Sequence, residues 1–260
     1  NKPTGYGNVA EINNNGLELA GGYKYRSNSG DFSIKLNANI SFVNNKVLKL
    51  VDKDDEWYSN GFNGTNVSVT REGGTTAEFY GYVVEGLYQS YDDILNSPYQ
   101  GPIDPHATDN SVEPNLRKYI SPGDFKFMDL DGNDTINDMD RTFIGSPLPK
   151  FTHGFSVDVT YKNFDLFVNT YGTYGNDIAN LTTNELKGAG MNNKSADYID
   201  HWTETNTDSK NPRYGVDVNK NMRFSDYYIE DGSFLRIKNV TLGYNVPREL
   251  LGKVKMQKLR

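Results

Sequence analysis

The sequence predicts an all-β, antiparallel chain, and three observations carry that expectation. Apolar and polar residues alternate with a period of two over several runs of about ten residues. The runs come in pairs joined by turn-forming residues, and very long connections separate the pairs. The composition is polar yet rich in rings: 18 Tyr, 13 Phe and 2 Trp in 260 residues, with mean hydropathy -0.70. So many aromatics argue against disorder. The lack of Cys excludes a disulfide framework and any thiolate-held metal. A net charge of -7 with no long basic tract excludes a typical nucleic-acid binder. No apolar run approaches the roughly 18 residues of a membrane-spanning helix. Asn1-Lys2-Pro3-Thr4 does not start like an export signal, so the expectation is a cytosolic chain or one that begins inside a longer precursor.

The first strand is expected at about 16–27, where Leu17, Leu19, Gly21, Tyr23 and Tyr25 alternate with Glu18, Ala20, Gly22, Lys24 and Arg26. Ser27-Asn28-Ser29-Gly30 supplies a tight turn. The second, at about 31–44, places Phe32, Ile34, Leu36, Ala38, Ile40 and Phe42 on one face. A second hairpin pairs about 150–161 with about 163–174 across a turn at Lys162-Asn163. The fifth strand is expected at about 233–246, ended by Pro247. Its parity slips between Ile237 and Val240, which predicts a bulge near Asn239. A sixth strand is expected to start at Lys258-Leu259-Arg260. The connections at about 45–149 and 175–227 read as long loops.

Long loops of this length are rare in compact soluble domains. Short turns alternating with long loops, and strands with one apolar and one polar face, suit an outer-membrane barrel. Phe32, Phe42, Phe151 and Tyr161 at the strand ends would then form interfacial girdles. A soluble antiparallel sandwich alternates in the same way, so the pattern alone leaves both architectures open.

Several phrases add a resemblance. Asn13-Asn14-Asn15-Gly16-Leu17-Glu18-Leu19 opens the first strand. Phe79-Tyr80-Gly81-Tyr82 runs on to Glu85-Gly86-Leu87-Tyr88-Gln89. Pro122-Gly123-Asp124-Phe125-Lys126-Phe127 precedes an aspartate-rich loop and Asp140-Arg141-Thr142-Phe143-Ile144-Gly145-Ser146-Pro147. Phe151 to Phe155 and Asn163 to Leu166 are two more, and Ile229-Glu230-Asp231-Gly232-Ser233-Phe234-Leu235-Arg236-Ile237-Lys238-Asn239-Val240-Thr241-Leu242-Gly243-Tyr244 is the longest. Together, in this order, they resemble the SusC/RagA family of TonB-dependent outer-membrane transporters from Bacteroidota. The resemblance implies part of a large antiparallel transmembrane β-barrel of the 22-strand type with long extracellular loops. It also implies a partial C-terminal barrel over 1–260, with the plug and the N-terminal domain absent from these residues. A sheet of five or six strands with open edges could not stand alone in lipid, which agrees with a fragment.

One loop carries metal-ligand spacing. Asp129, Asp131, Asn133, the carbonyl of Thr135, Asn137 and Asp140 fall at the positions of a calcium loop, and Ca2+ or another hard divalent cation would suit these oxygens. Asp134 stands where Gly is usual and must take the sharp turn; Asp140 stands where Glu is usual. The bland reading is a solvated acidic turn held by Asx hydrogen bonds. Trp57, Tyr58, Tyr80, Tyr82 and Trp202 are candidate contacts to substrate or to a lid protein, set against the plainer reading that they pack the loops. His106, His153 and His201 are too far apart for a zinc signature, and no nucleophile elbow occurs, so no covalent chemistry is expected.

The resemblance implies TonB-energised import of oligosaccharides or oligopeptides through the outer membrane of a Gram-negative bacterium. The implied partners are a SusD-like surface lipoprotein lid, TonB (through the absent N-terminal region), outer-membrane lipid and a glycan or peptide substrate, with no nucleic acid. The rival readings are a secreted calcium-binding β-sandwich adhesin or carbohydrate-binding module, and a glycoside hydrolase fragment.

Overall fold

A computed structural model describes residues 8–51, 56–61, 66–102, 119–187, 193–214, 221–251 and 259–260. The strands in chain order are β1 (Ala10–Arg26), β2 (Phe32–Leu50), β3 (Trp57–Asn60), β4 (Asn66–Thr70), β5 (Glu78–Gly81), β6 (Val84–Leu87), β7 (Phe125–Phe127), β8 (Thr142–Gly145), β9 (Phe151–Tyr161), β10 (Phe164–Tyr174), β11 (Asp177–Ala179), β12 (Ile229–Asp231) and β13 (Phe234–Tyr244). Among the described residues α-helix is confined to short pieces: α1 (Tyr91–Leu95), α2 (Thr182–Lys187) and α3 (Arg248–Leu251). Among the described residues no helix is long and apolar enough to cross a membrane, which says nothing about strands. The chain divides into two compact units.

The wall unit holds Ile12–Lys46, Leu148–Asp177 and Asp231–Arg260. Its sheet has five strands in the order β1-β2-β9-β10-β13. The β2–β9, β9–β10 and β10–β13 pairs are antiparallel. β1 begins at Ala10, not near residue 16: Asn13-Asn14-Asn15 reads locally as a breaker, yet the ladder carries it, and Asn45 Nδ2 donates to Asn14 Oδ1 at 2.6 Å. β2 likewise runs to Leu50, past the expected end at residue 44.

The register sorts the side chains into rows. Leu36, Val157, Val168 and Val240 form one row, and Ile34, Val159, Leu166 and Leu242 the next. On the opposite face Asn37, Ser156, Asn169 and Asn239 lie abreast, as do Lys35, Asp158, Phe167 and Thr241. The apolar rows end in rings on both sides. At one end Phe32, Tyr161, Phe164 and Tyr244 share a row, with the Phe164 and Tyr244 rings 4.7 Å apart. At the other, Phe151 lies 5.7 Å from Phe42 and 5.1 Å from Tyr174. Along β9 the two rings of that row are separated by about 33 Å of strand, or about 25 Å of height at the tilt usual in barrels.

The ladder slips once. Asn169 pairs with Asn239 and Thr170 with Ile237, so Lys238 is the extra residue of a bulge. Residues after the bulge keep their faces: Ile237 and Leu235 continue the apolar side, Arg236 and Phe234 the polar side. Lys258, in the expected sixth strand, lies outside the described residues; the Leu259 carbonyl accepts from Val246 N at 3.0 Å.

The loop unit holds Asn1–Glu11, Val47–Pro147 and Ile178–Glu230. The sequence read these stretches as loops; they contain their own sheets, β3-β4-β5-β8 and β6-β7. The strands have only three to five residues, too short for a period of two to stand out. Two aromatic-aliphatic clusters fill the unit. Tyr82, Phe125, Phe127 and Ile136 form one, against Val84, Leu87 and Tyr227; Tyr88, Ile94 and Ile120 form the other, against Tyr91. Ser90 caps α1 by accepting from Asp93 N at 3.1 Å, which turns Ile94 into the second cluster.

Candidate functional site

The acidic loop follows β7 directly, so the buried Phe125 and Phe127 anchor its start. Its far side is pinned as well: Tyr99 N donates to the Asp134 carbonyl at 2.8 Å, and Ile136 N to the Tyr99 carbonyl at 2.9 Å. Between these anchors the chain turns sharply, with Gly132 at φ 73° and Asp134 at φ 59°. Asp134 thus adopts the left-handed turn that the spacing demands of it.

Asp129 Oδ1 accepts from Gly132 N, and its Oδ2 from Asp134 N, both at 2.8 Å. Desolvation is the largest single influence and pushes this carboxyl up, but the amides of Gly132, Asp134 and Asn133 together overcome it and hold the group below the usual carboxylate range. Asp140 is fully buried; its Oδ1 accepts from Leu130 N at 2.9 Å and its Oδ2 from Asn137 N at 2.7 Å. One oxygen each of Asp129, Asp131 and Asp140 lies within 4.8 Å of the others. Asn133 Oδ1 takes Thr135 N at 2.8 Å, and the Thr135 carbonyl takes Asn137 Nδ2 at 3.0 Å. The six candidate residues therefore sit on one loop, three carboxylates converge, and Asx hydrogen bonds close the turn.

The aromatic candidates separate into two groups. Trp57 and Tyr58 are exposed on β3, and the Tyr58 ring lies 5.8 Å from that of Tyr80 on β5. Arg141 spans this sheet: Nη2 donates to the carbonyls of Asn66 and Tyr80, and its guanidinium lies 4.8 Å from the Tyr80 ring centre. Tyr82 and Trp202, in contrast, are core residues of the loop unit. Tyr82 packs on Phe127 with ring centres 5.3 Å apart and donates to Asp138 Oδ1 at 3.1 Å. Burial pushes its phenol up to about 12, while Arg223 opposes the shift. Trp202 donates from Nε1 to Gln89 Oε1 at 3.2 Å. His201 Nδ1 contacts the Tyr198 carbonyl at 2.9 Å and its ring stacks on Tyr198, while His153 shares the apolar row of Ile40 and Gly172 in the wall. His106 lies outside the described residues.

Sequence reading missed the polar centre of the loop unit. Asp124, with no exposed surface, receives Arg213 Nε on Oδ1 at 2.6 Å and Nη2 on Oδ2 at 3.2 Å. Ser121 N donates to Oδ2 and Asn221 Nδ2 to Oδ1, each at 2.9 Å. Burial pushes the Asp124 carboxyl up, and Arg213, Ser121 and Asn221 act against it. The pair joins the two long connections of the chain. Gly123 makes the approach possible: its φ is +88°, and a Cβ there would meet Trp202 Cε3 at 2.4 Å. The Gly123-Asp124 step was visible in the sequence, but nothing there pointed to Arg213, 89 residues away.

The chain is 36% identical over 256 residues to TonB-dependent receptor P3 of Formosa agariphila, which covers 97% of this chain and 24% of that protein. The chain belongs to the SusC/RagA family of TonB-dependent receptors. TonB-dependent receptor SusC of Bacteroides thetaiotaomicron is 27% identical over 252 residues, covering 92% of this chain and 21% of SusC. The chain thus spans about a quarter of the length of these relatives or less. The structure of the RagAB peptide transporter matches with TM-score 0.68 at 20% identity, over 93% of this chain and 23% of that one. The RagAB peptide importer in its closed-closed state matches with TM-score 0.64 at 21% identity, over 94% and 24%. At such identities the likeness speaks to fold: the five-stranded sheet is a piece of a large antiparallel barrel. No family model matches the chain. The named relatives are receptors and transporters, in line with the absence of any expected covalent chemistry at family level.

Proposed function

We propose that this segment supplies wall and external loops to an outer-membrane importer that takes up oligosaccharides or oligopeptides with energy from TonB. The observation that carries the reading is the wall's two-sided register. Apolar rows between two aromatic rows would meet lipid, and the opposite polar rows would meet a wet lumen. A sandwich would cover its apolar face, whereas here Leu235, Ile237 and Leu242 are 68%, 63% and 74% exposed. A SusD-like lipoprotein would cap the barrel, with the exposed Trp57 and Tyr58 and the half-buried Tyr80 as contacts to that lid or to the substrate. Detergent-dependent extraction and a heat-modifiable band are the expected behaviour of the full-length protein. A full-length protein that stays soluble without detergent would overturn the reading.

The acidic loop is proposed to take Ca2+ through Asp129, Asp131, Asn133, Thr135, Asn137 and Asp140, which would stiffen the stretch between Phe127 and β8. The convergence of three carboxylates supports this. Calorimetry on the full-length protein is expected to register calcium binding that Asp131→Ala abolishes; no heat from the unsubstituted protein would end the proposal.

A further inference from the structure

The polar face of the wall carries an arginine that the described residues orient but do not neutralise. Arg236 and Tyr171 are cross-strand partners on β13 and β10. The Arg236 guanidinium lies 5.3 Å from the Phe234 ring centre and 5.8 Å from that of Tyr171. Those two rings meet edge to face, 5.6 Å apart at 90°. Arg236 Nη1 donates to the Tyr171 hydroxyl at 3.1 Å. Two rings and one hydroxyl therefore fix the plane of an exposed guanidinium, which lowers the entropy lost on binding.

Among the described residues Arg236 has no ion-pair partner; the ion pairs involve Arg71, Lys126, Arg213 and Arg260. Its row continues into Gly154 and Asn39, and the next row is Asn37, Ser156, Asn169 and Asn239. Toward Asn239 the first acid in the paired rows is Asp158, two rows on, about 13 Å along the strand. Asp165 lies beyond it and is bonded to Arg260. Gly154 keeps the neighbouring surface low, since a Cβ there would meet Asn39 Oδ1 at 2.5 Å. A planar cation with donors to spare, beside ring faces and a field of amides, is suited to a carboxylate carried on a larger polar solute.

We propose that Arg236, with Tyr171 and Phe234, binds a carboxylate of the transported solute on the lumen side of the wall. This rests on the import reading above and adds a charge class to it. Binding to the purified full-length protein is to be measured for four probes: an oligogalacturonate, a glutamate-rich hexapeptide, maltohexaose and a neutral hexapeptide. At least one acidic probe is expected to bind, more weakly as salt rises. Arg236→Gln is expected to weaken it about tenfold or more, and Arg236→Lys by less, with the neutral probes unmoved. Whichever acidic probe binds tells an acidic sugar from an acidic peptide. The proposal is overturned if neither acidic probe binds, or if Arg236→Gln binds it unchanged. It is also overturned if Arg236→Gln lowers all binding together with the unfolding temperature, the mark of a structural staple. A protein with normal heat-modifiability that fails these tests sinks this inference alone; loss of that barrel signature in the unsubstituted protein sinks the import reading.

Discussion

In the wall, Val157 lies between Leu36 and Val168 on the apolar face, yet most large side chains of that face are open. In the loop unit, Tyr88, Phe125 and Phe127 are each 1% exposed. The wall is ordered by backbone ladders and leaves its apolar surface for something outside the sheet to cover. The loop unit is ordered by side chains: two aromatic clusters and one buried ion pair close it from within. The contrast teaches that length of connection is a poor guide to lack of structure. Residues between barrel strands can fold like a small soluble domain when they carry enough rings to bury.

Five substitutions probe that contrast, Val157→Arg and Ser156→Arg as a pair, taken from the strongest effect down. Arg213→Met strands the Asp124 carboxylate in the core and is expected to cost about 3–5 kcal/mol. Proteolysis should then cut the loops of the full-length receptor while the barrel keeps its heat-modifiable band; loops that resist would break the distinction. On the wall, Val157→Arg is expected to cost about 2–4 kcal/mol if that row faces the middle of a bilayer. Its neighbour Ser156→Arg, on the other face, should stay within about 0.5 kcal/mol. Denaturant unfolding in lipid vesicles compares the two, and equal costs would mean that the faces are misassigned. Gly123→Ala, with its positive φ and its contact to Trp202, is expected to lower loop stability by about 1–3 kcal/mol, read as a shift in the protease-sensitivity midpoint. The smallest effect concerns acid. Asp129 has a lowered carboxyl pKa in the fold, so its contribution is present above the ordinary value of about 3.9 and fades as pH falls through the lowered one. Loop stability of Asp129→Asn should therefore lie below that of the unsubstituted protein near neutrality and approach it in acid; parallel curves would contradict the assignment.

The wall was readable because both of its faces meet an environment of fixed polarity. Phe151 to Tyr161 alternates without interruption, and the slip between Ile237 and Val240 marked a bulge that the ladder places at Lys238. Strand ends were less readable, since Asn13-Asn14-Asn15 has turn chemistry and only the partner strand holds it extended. The acidic loop was legible as spacing, down to the turn at Asp134. The loop core was not. β7 has three residues, and Asp124 finds Arg213 far along the chain, so no local pattern announces either. Tyr82 and Trp202 show the same limit: ring content was visible, but which rings turn inward depends on contacts distant in sequence.

The bulge at Lys238 also bears on how this strand can change length. Elsewhere in β13, losing or gaining one residue would turn every side chain beyond it to the opposite face. Lys238 is the surplus member between Ile237 on the apolar side and Asn239 on the polar side. Its deletion would leave strict alternation from Phe234 to Tyr244 and keep Arg236 where it is. The bulge is thus the one place in the strand where a single-codon deletion can pass without inverting the surface, at the expense of local twist.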